Sequence, residues 1–364
     1  MDGGEQAGAE DPAGMRREIA QQLRAFGATR REIERALASG EPQRAILGTI
    51  ARHSAEGRSV TPAEIEAGGG PPHAQLSELM RAFGLPAPRA NERSFTAAEA
   101  DALIELWRHS EVWPFELAIQ VSRVYGRLLA RIAHATVQLW ASVVEPGLRE
   151  RTAERGALLA GAQSLERLLP VSDALLAAVH RRWLEREATQ MALREVPLTP
   201  HGEGSLAAVE VSFLFCDLKD FTAFADRQGD DAAVRLIDRF AAVVTREHGP
   251  EARLTKLLGD GFMCAYPNPQ LAVDAGARII DAMSRPGDPG VHASVHHGLA
   301  IPREGDYFGA AVNLTARLLA FADRDELVAT GSVLERCDGL QWERAGTLRI
   351  RGVSNDVDVF RLKR

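Results

Sequence analysis

The periodicity of apolar residues changes abruptly at PLTPHGEGS, residues 197–205, and this change constrains the fold more than any other feature. Two prolines and two glycines end helical structure there. From residue 15 to residue 196, apolar residues recur at three- and four-residue spacing, which predicts helices. After the break, LAAVEVSFLFCD starts with alternation and continues as an apolar run, which is typical of a central strand. We therefore predict an α+β protein in which an all-α domain precedes a mixed domain.

A length of 364 residues is comfortable for two domains. The polar, acidic residues 1–14 are predicted to be a disordered tail. A helical domain is expected over residues 15–196, a linker over 197–207 and the mixed domain over 208–364.

In the helical domain, Thr61 and Thr96 are placed to cap helices, the first with Pro62 at the start of its helix. Residues 113–145 are long, apolar and periodic, and predict a central buried helix. In the mixed domain, the segments follow the order strand, helix, strand, strand, helix, strand, which is the ferredoxin-like pattern.

Composition excludes several classes of protein. The net charge of −7 gives no overall basic field for nucleic acid. The three cysteines are too few and too scattered for a disulfide framework or a zinc site. No apolar stretch approaches the roughly 18 residues of a membrane span, and the N-terminus lacks the features of a signal peptide. We expect a cytoplasmic protein.

Two aspartates stand where buried strands end. Asp217 follows the apolar run FLFC, and Asp260 lies in a Gly-Asp-Gly turn between two apolar segments. In a ferredoxin-like sheet these strands are neighbours, so both carboxylates can converge and bind Mg²⁺ together with substrate phosphates. Taken singly, Asp217 is better explained as a helix cap and Asp260 as a turn residue.

A third polar cluster lies in EGDYFGAAVNLTARLL. Asn313 and Arg317 are four residues apart and therefore share one helix face, and Asp306 lies in the preceding loop. Alone, this cluster is also consistent with ordinary surface and capping residues.

Together, the segments FCDLKDFT, TKLLGDGFM and GDYFGAAVNLTARL resemble the class III nucleotidyl cyclase catalytic domain in order and spacing. The resemblance runs from about residue 208 to the C-terminus. It implies that Asp217 and Asp260 bind two Mg²⁺ or Mn²⁺ ions per site. It also implies that Asn313 orients the ribose and that Arg317 stabilises the transition state.

The resemblance further assigns Lys256 and Asp306 to recognition of the purine base. Lysine only donates and ionised aspartate only accepts hydrogen bonds, a pair that matches N1 and the 6-amino group of adenine. Guanine presents the inverse pattern, and guanylate cyclases typically carry Glu and a small or Cys-type residue instead. ATP is therefore the expected substrate.

Backbone N–H groups in the turn that contains Phe221 and Thr222, at the start of a helix, are expected to hold the β- and γ-phosphates. Arg351 stands near the position of a basic phosphate contact, and is equally explained as a solvated strand residue. In this family one subunit supplies the metal aspartates and the other supplies the remaining groups. The resemblance therefore implies a homodimer that converts ATP to 3′,5′-cyclic AMP and pyrophosphate at its interface.

The helical half resembles the regulatory domain of soluble actinobacterial class III adenylate cyclases, notably in SFTAAEADALIELW. This implies an autoinhibitory, pH-sensing domain that is inhibited at neutral to alkaline pH, with a fatty acid or other lipid as a ligand. Histidine is the natural pH-responsive side chain, although each one here is also explained as packed or solvated. The candidates are His53, His109, His134, His180 and His201.

Other functions remain open at this point. SVTPAEIEAGGGPPHAQLSELMRAFG has some helix-turn-helix character, but its second helix is poor in phosphate-binding residues, so no DNA partner is expected. A catalytically silent nucleotide-binding regulator and a cyclase for another nucleotide are the alternatives. A diguanylate-type cyclase needs a GGDEF-like hairpin, which LLGDGFM lacks.

Overall fold

The computed structural model describes residues 12–139, 142, 157–192, 208–349 and 356–363. The chain divides into two compact units, residues 1–194 and 195–364, and each is considered by itself. The predicted linker, residues 197–207, lies outside the described residues, as do Arg351 and His201. The predicted domain limits stay predictions.

The described part of the first unit is helical. Its helices are α1 (Pro12–Ala25), α2 (Arg30–Ser39), α3 (Pro42–Glu56), α4 (Pro62–Ala67), α5 (His73–Ala82), α6 (Ala97–Arg108), α7 (Phe115–Leu139) and α8 (Ala157–Ala192). Helix α1 begins at Pro12, so the last residues of the predicted disordered tail are helical.

The predicted threonine caps are present. The hydroxyl of Thr61 accepts a hydrogen bond from the Glu64 backbone N–H, and the Glu64 carboxylate accepts one from the Thr61 N–H. Thr96 and Glu99 make the same reciprocal pair at the start of α6. Each pair satisfies backbone donors that the first turn of a helix leaves unpaired.

The prediction that the long apolar helix is buried was wrong for its described part. In α7 the buried residues are Ile119, Ser122 and Gly126, whereas Leu128 is 52% exposed. The other large apolar side chains exposed on α7 are Leu117, Val121, Tyr125, Leu129, Ile132, Val137 and Leu139. The apolar periodicity is therefore real, but a single copy of the unit covers only one stripe of the helix.

The second unit has the predicted strand and helix order. Its elements are β1 (Val209–Leu218), α9 (Phe221–Gln228), α10 (Asp230–Glu247), β2 (Arg253–Leu258), β3 (Gly261–Tyr266), α11 (Pro269–Met283), β4 (Val291–Arg303), β5 (Asp306–Phe308), α12 (Ala310–Leu318), a 3₁₀ turn (Leu319–Phe321), β6 (Leu327–Thr330), α13 (Gly331–Leu334), β7 (Trp342–Leu348) and β8 (Val357–Leu362). The expected α+β class and the ferredoxin-like order are confirmed.

The strands form one sheet in the order β2-β3-β1-β4-β6-β8-β7, with β5 paired to β4. Strand β1 is antiparallel to both β3 and β4, and β2 is antiparallel to β3. Strand β6 joins β4 in parallel. Because β1 lies in the middle, its apolar residues are buried on both faces, which explains the continuous apolar run in the sequence.

The two faces of the sheet pack against different helices. Leu214 and Cys216 of β1 face a core with residues of α10 and α11, including Phe240 and Ile279. Alternate residues point to the other face, where a second core includes residues of β1, β3, β5 and α12. Its members include Phe213, Phe215, Met263, Tyr307 and Ala311. We call this second surface the α12 face.

Within the described residues, no helix combines the length and the apolar character that crossing a membrane requires.

Candidate active site

Asp217 lies near the C-terminal end of β1, on the α12 face. Its backbone is opposite Gly261 of β3 on one side and opposite His292 of β4 on the other. Alternation along β1 places it on the same face as Phe213 and Phe215. Strand register therefore brings Asp217 beside the Gly-Asp-Gly turn, as the sequence predicted.

Asp260 occupies that turn and lies close to Asp217. Its backbone carbonyl accepts a hydrogen bond of 3.2 Å from the Leu218 N–H. Partial burial and the neighbouring charge of Asp217 raise the pKa of the Asp260 carboxyl above its ordinary value. Two ionised carboxylates at Asp217 and Asp260 therefore repel each other, and burial adds to the cost of ionising Asp260.

Gly261 has a steric role at this site. A Cβ atom at this position would lie 2.7 Å from Asp217 Oδ1 and 3.1 Å from the Cys216 carbonyl oxygen. Real Cβ atoms essentially never approach another atom as closely as 2.7 Å, so a larger residue would displace the Asp217 carboxylate. The second glycine of the Gly-Asp-Gly turn thus provides space for the Asp217 carboxylate.

His292 is a component of the site that sequence reasoning missed. Its Nε2 lies 3.4 Å from Asp217 Oδ2, and its Nδ1 lies 3.3 Å from the carbonyl oxygen of Ala322. In the sequence it is one of three histidines in the strand VHASVHHGLAI. Only the register that pairs it with Asp217 distinguishes it from the other two.

The structure brings Lys256 and Asp306 together. Lys256 Nζ lies 2.7 Å from Asp306 Oδ2, and the two side chains are 36% and 26% exposed. The other Asp306 carboxylate oxygen, Oδ1, accepts a hydrogen bond of 2.8 Å from the Tyr307 backbone N–H. A donor and an acceptor are therefore fixed side by side and remain accessible to a ligand.

A β-bulge in β2 determines which way Lys256 points. Leu254 is opposite Cys264, but Lys256 is opposite Met263, so β2 contains one extra residue there. With regular pairing, Lys256 would be opposite Phe262, which belongs to the core with α10 and α11. Because of the bulge, Lys256 instead shares the α12 face with Met263, Asp217 and Asp306.

Asn313 and Arg317 lie on the exposed side of α12. The buried side of this helix carries Ala311, Val312, Thr315 and Leu318. Among the described residues, neither the Asn313 nor the Arg317 side chain has a hydrogen bond or ion pair with Asp217 or Asp260. Within one chain, the two sets of predicted catalytic groups therefore have no direct contact.

The turn after Asp217 leads directly into α9. Asp220 precedes this helix with a left-handed backbone (φ 59°), and Phe221 begins it. The Phe221 side chain packs against the core, whereas Thr222 is exposed. The Phe221 side chain is thus partly buried, and its backbone lies at the first residue of α9. Arg351 is outside the described residues, so its predicted phosphate contact stays a prediction.

The donors present fit a divalent cation that is shared with a substrate. Among the described residues, no group of three or more His, Cys, Asp or Glu side chains could hold a metal ion by itself. Mg²⁺ commonly binds through one or two carboxylates plus phosphate oxygens. Asp217 and Asp260 supply such carboxylates, and a cation would relieve the charge that raises the pKa of Asp260.

The relatives described here are all adenylate cyclases. No protein-family profile matches the chain. The chain is 27% identical over 276 residues to the pH-sensitive adenylate cyclase of Mycobacterium tuberculosis, covering 74% of this chain and 67% of that protein. It is 28% identical over 222 residues to an adenylate cyclase of Streptomyces griseus, covering 59% and 52% respectively. An adenylate cyclase of Glutamicibacter nicotianae is 27% identical over 266 residues, covering 68% and 64%.

Among solved structures, the adenylyl cyclase CyaB from P. aeruginosa is similar at 16% identity and a TM-score of 0.38, covering 44% of this chain and 96% of that one. A bacterial light-regulated adenylyl cyclase is similar at 19% identity and a TM-score of 0.40, covering 54% and 65%.

Proposed function

We propose that this chain, a homologue of the actinobacterial class III adenylate cyclases, converts ATP to 3′,5′-cyclic AMP and pyrophosphate. The observation that carries the proposal is the placement of chemically distinct groups on the α12 face. The acidic pair Asp217 and Asp260 lies at one end of β1, and Lys256 and Asp306 form a donor–acceptor pair on the same face.

Each group of the chain has a task in this reaction. Asp217 and Asp260 would hold two Mg²⁺ or Mn²⁺ ions, which would acidify the ribose 3′-hydroxyl and neutralise phosphate charge. Lys256 donates to adenine N1, and Asp306 accepts from the 6-amino group. Backbone N–H groups at the start of α9, at Phe221 and Thr222, bind the terminal phosphates.

The remaining groups act on the ribose and on the reacting phosphate. Asn313 orients the ribose so that its 3′-oxygen faces the α-phosphorus, and the pyrophosphate leaves on the opposite side. Arg317 stabilises the charge that grows on the phosphoryl oxygens, an electrostatic contribution worth about 3 kcal/mol when the donor is preorganised.

We infer a homodimer because these groups do not meet within one chain. Asn313 and Arg317 are exposed, and among the described residues neither side chain has a hydrogen bond or ion pair with the aspartates, which supports their supply to each metal site by a second copy. The exposed apolar side chains of α7 and α8 support association, since large exposed apolar patches mark interaction sites. On α8 these side chains are Leu168, Val171, Leu175, Leu176, Val179, Trp183, Leu184 and Met191.

We also propose that the helical unit inhibits the enzyme at neutral to alkaline pH and releases it on acidification. The M. tuberculosis relative is described as pH-sensitive, and its similarity covers 276 residues, more than the second unit contains, so it extends into the helical unit. The comparisons give no support for the expected lipid partner. The cytoplasmic location remains part of the proposal.

Two histidine contacts hold α8 to other helices of its unit. His53 Nδ1 lies 2.9 Å from Glu166 Oε1, which joins α3 to α8. Tyr125 Oη lies 3.0 Å from His180 Nε2, which joins α7 to α8. By contrast, His109 bonds only within its own helix region, to the Glu105 carbonyl. The first two histidines therefore help to determine how α8 is held.

Full-length variants test this regulation. We expect His53→Gln with His180→Gln to reduce the activation that acidification produces, since neither glutamine gains charge. His109→Gln is the matched control, because its contact does not join two helices. Cyclase rates from pH 5.5 to 8.5 are the measurement. An unchanged pH profile in the double variant would contradict this role for the two contacts.

Product identification tests the proposed activity itself. The purified chain is incubated with ATP, GTP, CTP or UTP and with Mg²⁺ or Mn²⁺, and the products are identified by mass spectrometry. We expect 3′,5′-cyclic AMP and pyrophosphate from ATP. If the chain binds ATP but releases no cyclic nucleotide under any condition, it is a silent nucleotide-binding regulator instead.

A further inference from the structure

We propose that His292 is a positioning residue that fixes the carboxylate of Asp217 for cation binding. This inference rests on the proposed cyclase function and adds a residue outside the acidic pair to its metal site. It concerns the orientation of Asp217, not a direct contact of His292 with substrate.

The position of His292 is tightly determined. Its backbone is in register with Asp217 in the central sheet, so both side chains lie on the same face. Its side chain is 11% exposed. Nε2 faces Asp217 Oδ2 at 3.4 Å, and Nδ1 faces the Ala322 carbonyl at 3.3 Å. Both ring nitrogens thus face oxygen acceptors, and a neutral imidazole donates to one of them through its single N–H, so donation to Asp217 uses the tautomer that carries its proton on Nε2.

The two carboxylate oxygens of Asp217 have different neighbours. His292 engages Oδ2, while Oδ1 lies in the space left by the missing side chain of Gly261, next to Asp260. The carboxylate is therefore held with one oxygen toward the Gly-Asp-Gly turn.

The other side of the imidazole contacts the segment that follows α12. Ala322 comes directly after the 3₁₀ turn at the end of α12, the helix that carries Arg317. Its carbonyl oxygen also accepts a hydrogen bond of 3.2 Å from Lys219 Nζ. His292 therefore joins the strand end that binds the cation to the end of the helix that carries Arg317.

Two amide substitutions in the full-length protein separate positioning from general stability. The amide nitrogen of Gln in His292→Gln reaches the place of imidazole Nε2, facing Asp217. The amide of Asn in His292→Asn reaches only the place of Nδ1, facing Ala322. Both variants keep a neutral polar group of related size, so differences between them report on the Asp217 contact.

Mn²⁺ binding is measured by electron paramagnetic resonance in the presence of 3′-deoxy-ATP, which lacks the attacking hydroxyl and cannot cyclise. We expect His292→Asn to weaken Mn²⁺ binding by about 10- to 100-fold, the usual effect of removing a partner of a metal ligand. His292→Gln should bind Mn²⁺ more tightly than His292→Asn. The metal concentration that gives half-maximal cyclase activity should follow the same order, with similar melting temperatures for both variants.

Equal Mn²⁺ binding by the wild type and both variants would overturn the proposal. Equal losses in both variants, in step with equally lowered melting temperatures, would also overturn it, because they indicate a structural role only. If neither variant folds, ¹⁵N-histidine NMR of the wild type shows which ring nitrogen of His292 carries a proton. A proton on Nε2 is required for donation to Asp217, and an Nε2 without a proton overturns the proposal. A wild type that binds Mn²⁺ but makes no cyclic AMP contradicts the proposed function and leaves this comparison intact.

Discussion

The pair formed by Lys256 and Asp306 should determine which purine nucleotide the enzyme uses. The perturbation is the double substitution Lys256→Glu with Asp306→Cys. It replaces a fixed donor by an acceptor and removes the acceptor that faces the 6-amino group of adenine. The adenine base then meets unmatched groups at both positions.

The structure sets the expected magnitude. An unmatched buried polar group costs about 1–3 kcal/mol, and the partial exposure of Lys256 and Asp306 places both at the lower end of that range. Two positions at about 1 kcal/mol each give about 2 kcal/mol, which corresponds to roughly 30-fold. We therefore expect the ratio of kcat/KM for ATP to that for GTP to fall by at least about 30-fold.

A competition assay measures this ratio directly. Equal concentrations of ATP and GTP are mixed with Mn²⁺, and cyclic AMP and cyclic GMP are quantified by mass spectrometry. Lys363→Glu is the matched control, because this lysine follows β8 near the edge of the sheet opposite β2. An active double variant that retains the wild-type ratio would refute the assignment of the base-recognising pair.

Three further predictions concern the bulge and the buried titratable groups of the catalytic unit. Deleting Thr255 removes the extra residue but leaves Lys256 opposite Met263 on the α12 face, so ATP preference should be retained in the same competition assay; a lost preference contradicts the bulge argument. Burial lowers the pKa of His296 to about 4. As the pH falls from about 6.5 toward 4, this histidine is protonated in the unfolded state but stays neutral in the folded state, so the folded state loses stability. The unfolding free energy of the His296→Gln variant should therefore fall by about 2–3 kcal/mol less than that of the wild type between pH 7 and 4.5. Urea unfolding at both pH values measures this, and the same pH dependence in both proteins contradicts it. Burial raises the pKa of Cys264 to about 12, so iodoacetamide at pH 8 should not modify it before unfolding; native labelling at the rate of a free thiol, seen by mass spectrometry, is the contrary result.

The element order and the meeting of the two strand ends could be predicted from the sequence. A buried strand that ends in Asp217 and a Gly-Asp-Gly hairpin leave few alternatives in a ferredoxin-like sheet, because the first and third strands are neighbours. The close approach of Lys256 and Asp306 followed from the family resemblance, since they are separated by 50 positions along the chain.

Other features depend on register and on neighbouring surfaces, which the sequence does not specify. The bulge in β2 consists of one extra residue, and no residue type in this segment marks it in the sequence. It nevertheless determines the face of the sheet on which Lys256 lies. In the sequence, nothing distinguishes His292 from the other histidines of its strand. Its role is visible only in the strand register, which places it opposite Asp217. Periodicity showed that α7 is amphipathic, but it does not tell whether the same chain or another copy covers the apolar stripe.

The composite site can be tested by mixing two inactive full-length variants, Asp217→Ala and Arg317→Ala. In a mixed dimer, one site keeps the acidic pair of one chain and the arginine of the other, while the second site loses both. We expect cyclic AMP synthesis to return, up to half the wild-type rate per mixed dimer. No recovery in mixtures where native mass spectrometry shows mixed dimers would contradict a site shared between two chains.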